Sequence, residues 1–247
     1  MEWKHLHLCW HNERSRKNKE YKMDKMIKYV ILDFDGTIGD TQALIVGTLQ
    51  STMRRLQIEV KPYDVCAATI GLRLDEAFMS MYEGIGEEEG ARCAAAYREI
   101  FAENKKRTAV KAFPHVLDTI RELHAMGVSV AIASSRYRIS LLEYVRQMSI
   151  GDCVQSIVAG DDVEHVKPAP DMVEKALDEM KGEGESMNKA KARAIVVGDM
   201  TYDVDMAHNA GVKACAVTYG NGTREELSSA EHVIDDFSEL VSIVKAG

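Results

Sequence analysis

The chain has 247 residues, 46% of them hydrophobic and 28% charged, with a net charge of −8. That is enough for one large domain or two smaller ones with an ample core, in a composition typical of soluble globular proteins. The acidic balance argues against nucleic acid and anionic membranes as partners, and no apolar run approaches the ~20 residues of a membrane span.

Residues 1–25 stand apart. They hold seven basic and four acidic residues, a net +3 against −11 for the remainder, together with Trp3, Trp10 and three of the eight histidines. Leu6, Leu8 and Cys9 alternate with polar residues, which leaves no apolar core for a signal peptide. The segment is read as a basic, disordered extension, and the domain-forming pattern begins at Ile27. The five cysteines (Cys9, Cys66, Cys93, Cys153 and Cys215) are scattered and lack zinc-ligand spacing. They predict free thiols in a reducing, cytoplasmic setting.

Tyr29-Val30-Ile31-Leu32 reads as a buried strand of a parallel sheet. It runs into Asp33-Phe34-Asp35-Gly36-Thr37. Two aspartates at the mouth of a buried strand are costly unless they pair, bind metal or take part in chemistry, and ligands of parallel sheets gather at the carboxyl ends of strands. Asp40-Thr41 then reads as a helix N-cap pair. Leu44, Ile45, Leu49, Met53 and Leu56 recur at helical spacing, and further helices are predicted around 76–81 and 91–101. Residues 41–111 are therefore expected to be almost purely helical, with no convincing strand.

After Phe113, Pro114 suits the first turn of a helix that Gly127 closes. Strands follow at Val128–Ala133, Val154–Ala159, Ala194–Val197, Ala214–Val217 and Val233–Ile234. Helices lie between them at about 138–148, 170–181, 203–210 and 236–245, and Lys181–Ser186 reads as a surface loop. The alternation predicts an α/β fold: a Rossmann-like, doubly wound parallel sheet core carrying an inserted all-helical cap domain. The expected division is residues 26–40 and 112–247 for the core and 41–111 for the cap.

The ends of these strands share a chemical theme. Asp33 and Asp35 close the first. Ser134, Ser135 and Arg136 follow Val128–Ala133. Lys167-Pro168-Ala169-Pro170 opens a helix, and Gly198-Asp199 with Asp203 follows Ala194–Val197. Carboxylates from two strand ends can hold Mg²⁺, which takes oxygen ligands together with phosphate and water. An ionised aspartate can attack phosphorus, provided that Mg²⁺ and Lys167 offset its repulsion of a phosphate. Ser134 can hold a phosphoryl oxygen, and Asp35 can move a proton to the leaving group.

These residues, with the run Ala207-His208-Asn209-Ala210-Gly211-Val212, resemble the haloacid dehalogenase superfamily of the kind with a helical cap inserted after the first strand. The resemblance covers residues 27–247. It implies Asp33 as the nucleophile and a metal ligand, and Asp35 as general acid/base whose backbone carbonyl also binds metal. It implies Ser134 and Lys167 as phosphoryl holders, Asp199 as a Mg²⁺ ligand and Asp203 as its support. Ser135 and Arg73 are added as substrate contacts, Arg73 lying in a stretch (Ile70–Phe78) similar to the family's cap specificity loop. Arg136 is the weaker candidate.

Departures narrow the choice. Dehalogenases and phosphonatases lack the second aspartate, which Asp35 supplies here. The histidine and arginine of β-phosphoglucomutases correspond to Ile45 and Leu74. His115 stands where relatives often have glycine. What remains is similarity to phosphoglycolate phosphatase-like proteins. The expected function is a Mg²⁺-dependent phosphatase acting on a small phosphorylated metabolite, as monomer or homodimer. A pyrophosphatase, a mutase and a non-catalytic binding protein are the alternatives.

Overall fold

The computed structural model describes residues 26–106 and 109–247. The expectation for residues 1–25 lies outside the described residues.

The core is a six-stranded sheet. Its strands are β1 (Tyr29–Leu32), β4 (Ser129–Ser134), β5 (Ser156–Ala159), β6 (Ala194–Gly198), β7 (Lys213–Val217) and β8 (His232–Ile234). All pair in parallel, in the order β5-β4-β1-β6-β7-β8. All four residues of β1 are buried, and the period-two alternation of a strand sends them to two different cores. Val30 and Leu32 join Ile132, Val197 and Val217 in one. Tyr29 and Ile31 join Ala131, Ala133 and Val196 in the other.

Helices cover both faces. α5 (Val116–Ala125), α6 (Arg138–Gln147) and α10 (Leu240–Ala246) pack on the first. α7 (Asp171–Met180) and α9 (Thr201–Ala210) pack on the second. A sheet buried on both faces explains the continuous apolar runs in the sequence. The expected strands are all present, within a residue or two at their ends.

Among the described residues, four helices lie between β1 and α5: α1 (Gln42–Arg55), α2 (Tyr63–Ala67), α3 (Leu74–Met81) and α4 (Glu87–Asn104). α1 packs on α2 and α4, and α4 packs on α3. The block is almost purely helical, as expected, and one feature at its margins was not expected. Two short strands, β2 (Gly39–Asp40) and β3 (Lys111–Ala112), form an antiparallel ribbon where the chain enters and leaves the block. Strands of two residues are too short to show an alternation.

Further local differences have clear causes. Thr41 does sit at the N-cap of α1, but it makes no capping hydrogen bond; its hydroxyl instead donates to Asp35 at 2.7 Å. His115 has φ +63°, the left-handed conformation in which glycine is at ease, and its Nδ1 lies 2.7 Å from Asp236. Residues 181–186 form the expected surface loop, anchored at its end. Ser186 caps the short helix α8 (Met187–Lys191), and Glu185 accepts hydrogen bonds from the Tyr29 hydroxyl at 2.6 Å and from Lys28 at 2.9 Å.

Those two bonds hold the Glu185 carboxyl down at about 2, against an ordinary 4.5. A carboxyl lowered on folding contributes stability above its unfolded value and loses it as pH falls through the folded one. Glu185→Gln is therefore expected to lower Tm by a few degrees at pH 7, with the gap to the parent closing as pH falls below about 4.5. Melting curves from pH 7 to pH 3 test this, and a gap that ignores pH would rule out the charge as its source.

Candidate active site

The parallel register brings one edge of the sheet together. Leu32 pairs with Ile132 on one side and Val197 on the other, so Asp33, Ser134 and Asp199 emerge side by side at the carboxyl ends of three adjacent strands. The Asp33 N–H donates to the Val197 carbonyl at 2.9 Å. Lys167 arrives from the connection between β5 and α7, and Asp203 from the first turn of α9.

The centre of the cluster is dry. Asp33, Lys167, Asp199 and Asp203 are each at most 4% exposed. The Lys167 ammonium donates to Asp33, and to Asp203 at 2.7 Å. The other Asp203 oxygen accepts from the backbone N–H groups of Met200 at 3.0 Å and Asp199 at 3.2 Å. Asp203 thus caps α9 and grips the ammonium with the same carboxylate, so the helix-cap role and the site role coexist. Asp199 is held by Thr37 Oγ1 at 2.9 Å and by the N–H and Nδ2 of Asn221 at 2.8 and 2.6 Å. Gly36 (φ +91°) leaves room for it, because a Cβ there would lie 2.1 Å from Asp199 Oδ2.

The electrostatics follow from that burial. Desolvation pushes the Asp33 carboxyl well up, with Asp203, Asp199 and Asp35 adding to the rise and Lys167 opposing it. Burial and the charge of Asp203 push Asp199 up to about 7, against the hydrogen bonds from Asn221 and Thr37. Burial would lower Lys167, but Asp203 and Asp33 outweigh it and hold the ammonium above its ordinary value. One cation therefore faces more carboxylate than it can neutralise.

Oxygens of Asp33, Asp199 and Asp203 lie within 4.8 Å of one another. Clustered, buried, hard oxygen donors with charge left over fit a divalent cation of the Mg²⁺ kind. The carboxylate of Asp35 is not in that group. It accepts from Arg136 Nε at 3.1 Å and Nη2 at 2.5 Å, besides Thr41. Arg136 is itself largely covered, its side chain 9% exposed, and lies over the rings of Phe101 and Tyr144, 5.1 Å from each centroid.

Among the candidate substrate contacts, Ser134 is buried and accepts from the Arg136 N–H at 3.3 Å. Ser135 donates to the Gly71 carbonyl at 2.6 Å, which ties the sheet edge to the helical block. A cavity of about 310 Å³ between block and sheet edge is lined by Asp33, Asp35, Ser134, Ser135 and Arg136. Arg73 is not part of its lining; its Nε donates to Asp75 at 2.8 Å. Sequence reasoning gave Thr41 a helix-cap role alone, and gave no site role to Thr37 or Asn221. The first two lie in or beside the motif, and Asn221 announces itself only by the Tyr219-Gly220-Asn221-Gly222 turn after β7.

A buried aspartate at the end of the central strand, an ammonium on it and an acid pair from the neighbouring strand end thus stand together at one edge of the sheet. The haloacid dehalogenase-like hydrolase family model matches residues 30–217. The chain belongs to that family. Over 223 residues it is 31% identical to "Probable phosphatase IndB" of Dickeya dadantii, covering 88% of this chain and 93% of that protein. It is 28% identical over 220 residues to "Pyrophosphatase PpaX" of Bacillus cereus, covering 88% and 96%. A Bacteroides fragilis structure named "Putative haloacid dehalogenase-like hydrolase" superposes with a TM-score of 0.73 at 28% identity, covering 86% of this chain and 99% of that one.

Proposed function

We propose that this hydrolase is a phosphatase that releases phosphate from a small phosphomonoester through an aspartyl-phosphate on Asp33. The observation that carries the reading is Asp33 itself: a carboxylate in the lining of a cavity, fixed by Lys167, at the end of the central strand. An Asp33 oxygen attacks phosphorus while the bond to the leaving oxygen breaks, and Asp35 gives that oxygen its proton. Asp35 then takes a proton from water. The water oxygen bonds to phosphorus, the bond to Asp33 breaks, and phosphate leaves with the carboxylate restored. Lys167 and Ser134 hold the phosphoryl oxygens, and the Arg136 fork keeps the Asp35 carboxylate oriented between the two proton transfers.

Mg²⁺ would be held by Asp33, Asp199 and the Asp35 carbonyl, with Asp203 in support, and would supply charge neutralisation for the phosphoryl group. Residues 41–111 act as a cap that keeps bulk water from the acyl-phosphate. The cysteines Cys66, Cys93, Cys153 and Cys215 are free, which supports a reducing, cytoplasmic setting. Among the described residues no helix is long and apolar enough to cross a membrane.

Phosphate release is measured with Mg²⁺ and with a chelator, on 2-phosphoglycolate, pyrophosphate, β-glucose 1-phosphate and simple alkyl phosphates. Mg²⁺-dependent release from a monoester supports the proposal. Release from pyrophosphate alone would move it to the activity for which the Bacillus cereus relative is named, and interconversion of sugar phosphates without release would make it a mutase. The cation itself is checked without turnover. Mg²⁺ at about 100 times its dissociation constant contributes about 2.7 kcal/mol, which raises Tm by roughly 5–10 °C in a chain of this size. Asp199→Asn is expected to remove most of that rise, and an Asp199→Asn variant that responds to Mg²⁺ like the parent would remove Asp199 from the ligand set.

A further inference from the structure

The cavity beside Asp33 has a broad apolar wall. Ile45 and Leu49 come from α1, Ile70 and Leu72 from the loop before α3, Leu74 from α3 and Phe101 from α4. The lining also includes Ile139, which is 78% exposed, a large apolar side chain left in water beside an apolar wall.

Two of the charges around this wall are paired with acids. Arg136 is bonded to Asp35. Lys105 is paired with Glu143. Arg98 donates to the Tyr137 hydroxyl at 2.6 Å and lies over its ring. Two of the hydroxyls are engaged as well, Thr69 with the Cys66 carbonyl and Ser135 with the Gly71 carbonyl, while the Tyr97 ring adds its hydroxyl to the lining.

A phosphate ester entering this site presents two ends. The phosphoryl end meets Ser134 and Asp33, which Lys167 holds from behind. The other end meets hydrocarbon. A carboxylate, a second phosphate or a polyol there would give up its water for a wall that is mostly hydrocarbon. An apolar skeleton gains by the same move.

We propose that the substrate is the phosphomonoester of an uncharged, apolar alcohol, whose branched aliphatic or aromatic skeleton fills this cavity. The proposal rests on the phosphatase reading and narrows it. It sets this chain apart from enzymes whose substrates carry a second negative charge.

The test is a homologous series of n-alkyl phosphates, ethyl to hexyl, with benzyl phosphate, 2-phosphoglycolate, pyrophosphate and glycerol 3-phosphate, all at saturating Mg²⁺. The reactive end is constant across the alkyl series, so only the wall is varied. Burial of each added methylene is expected to raise kcat/KM by about two- to fourfold, and benzyl phosphate is expected to exceed 2-phosphoglycolate by about 100-fold. Leu72→Gln, at a half-buried position, and Ile139→Lys, at an exposed one, should each lower kcat/KM for hexyl phosphate about tenfold and leave ethyl phosphate within about twofold.

A flat alkyl series, or a preference for phosphoglycolate, glycerol phosphate or pyrophosphate, overturns the proposal while the phosphatase reading stands. If nothing is hydrolysed, the phosphatase reading falls, and the cavity is judged by binding. Calorimetry with n-alkylphosphonates should then show affinity rising by about two- to fourfold per methylene with a negative heat-capacity change. Affinity independent of chain length overturns the proposal in that case too.

Discussion

Asp33→Asn is expected to lower phosphate release from any substrate by roughly 10⁴- to 10⁶-fold, the scale seen when a covalent nucleophile is removed. The amide has no charge and a poor lone pair for phosphorus. Its shape matches the carboxylate, and Lys167 keeps Asp203 as a partner at 2.7 Å. One like charge also leaves a crowded acid cluster, so the fold should hold with Tm within a few degrees of the parent. Phosphate release and thermal melting read the two halves of this result. In the parent, rapid-quench mass spectrometry should find transient phosphate on the peptide that contains Asp33. Turnover by the Asp33→Asn variant at more than a few per cent of the parent rate would remove Asp33 as nucleophile.

Lys167→Met removes the ammonium and keeps most of the side-chain length. The side chain of Lys167 is 0% exposed, and its loss leaves Asp33 and Asp203 facing each other in a dry site. Breaking a buried pair in this way costs about 3–5 kcal/mol, or roughly 6–20 °C in Tm for a chain of this size. The loss should depend on pH in a definite sense. Burial and neighbouring acids already raise Asp33 and Asp199, and Lys167 is the group opposing the rise at Asp33. Carboxyls raised on folding destabilise the protein as pH climbs through their folded values, so the variant should lose less at pH 5 than at pH 8. Added Mg²⁺ should return part of the lost Tm, because the same carboxylates attract it. Activity is expected to fall by about 10²–10³-fold with Mg²⁺ present, for want of the positive charge on the phosphoryl group. A variant that melts like the parent at pH 8 without Mg²⁺ would show that the three charges are not coupled.

The sheet, its two-sided burial and the residues at its carboxyl edge were legible because each is written locally. An apolar run marks a strand, and a polar residue at its end marks the edge. The partners of those residues were not legible, because they meet only on folding. Arg136 and Asp35 lie 101 positions apart, and Thr37 and Asp199 lie 162 apart. No spacing rule links them. Thr41 carried a misleading local signal: it stands where a cap belongs, and its hydroxyl serves Asp35 instead. Gly36 stands within the motif, but its duty of leaving space for the Asp199 carboxylate depends on a residue far along the chain. Arg73 looked well placed in a specificity loop, and its side chain is drawn to Asp75 two positions later. The apolar wall was hidden for the same reason, since it is assembled from several separate segments.

The β2–β3 ribbon carries a mechanical consequence. The helical block joins the rest of the chain through two backbones laced side by side, Gly39 to Ala112 and Asp40 to Lys111. Two tethers bonded to each other twist as one strap, which resists sideways shear and leaves rocking as the easy movement. Thr41 is the first residue beyond that strap, and its hydroxyl rests on Asp35. Rocking the block would therefore tug on the Asp35 carboxylate, to which we assign the proton transfers, so that the attitude of the block and the set of that carboxylate are geared together through Thr41.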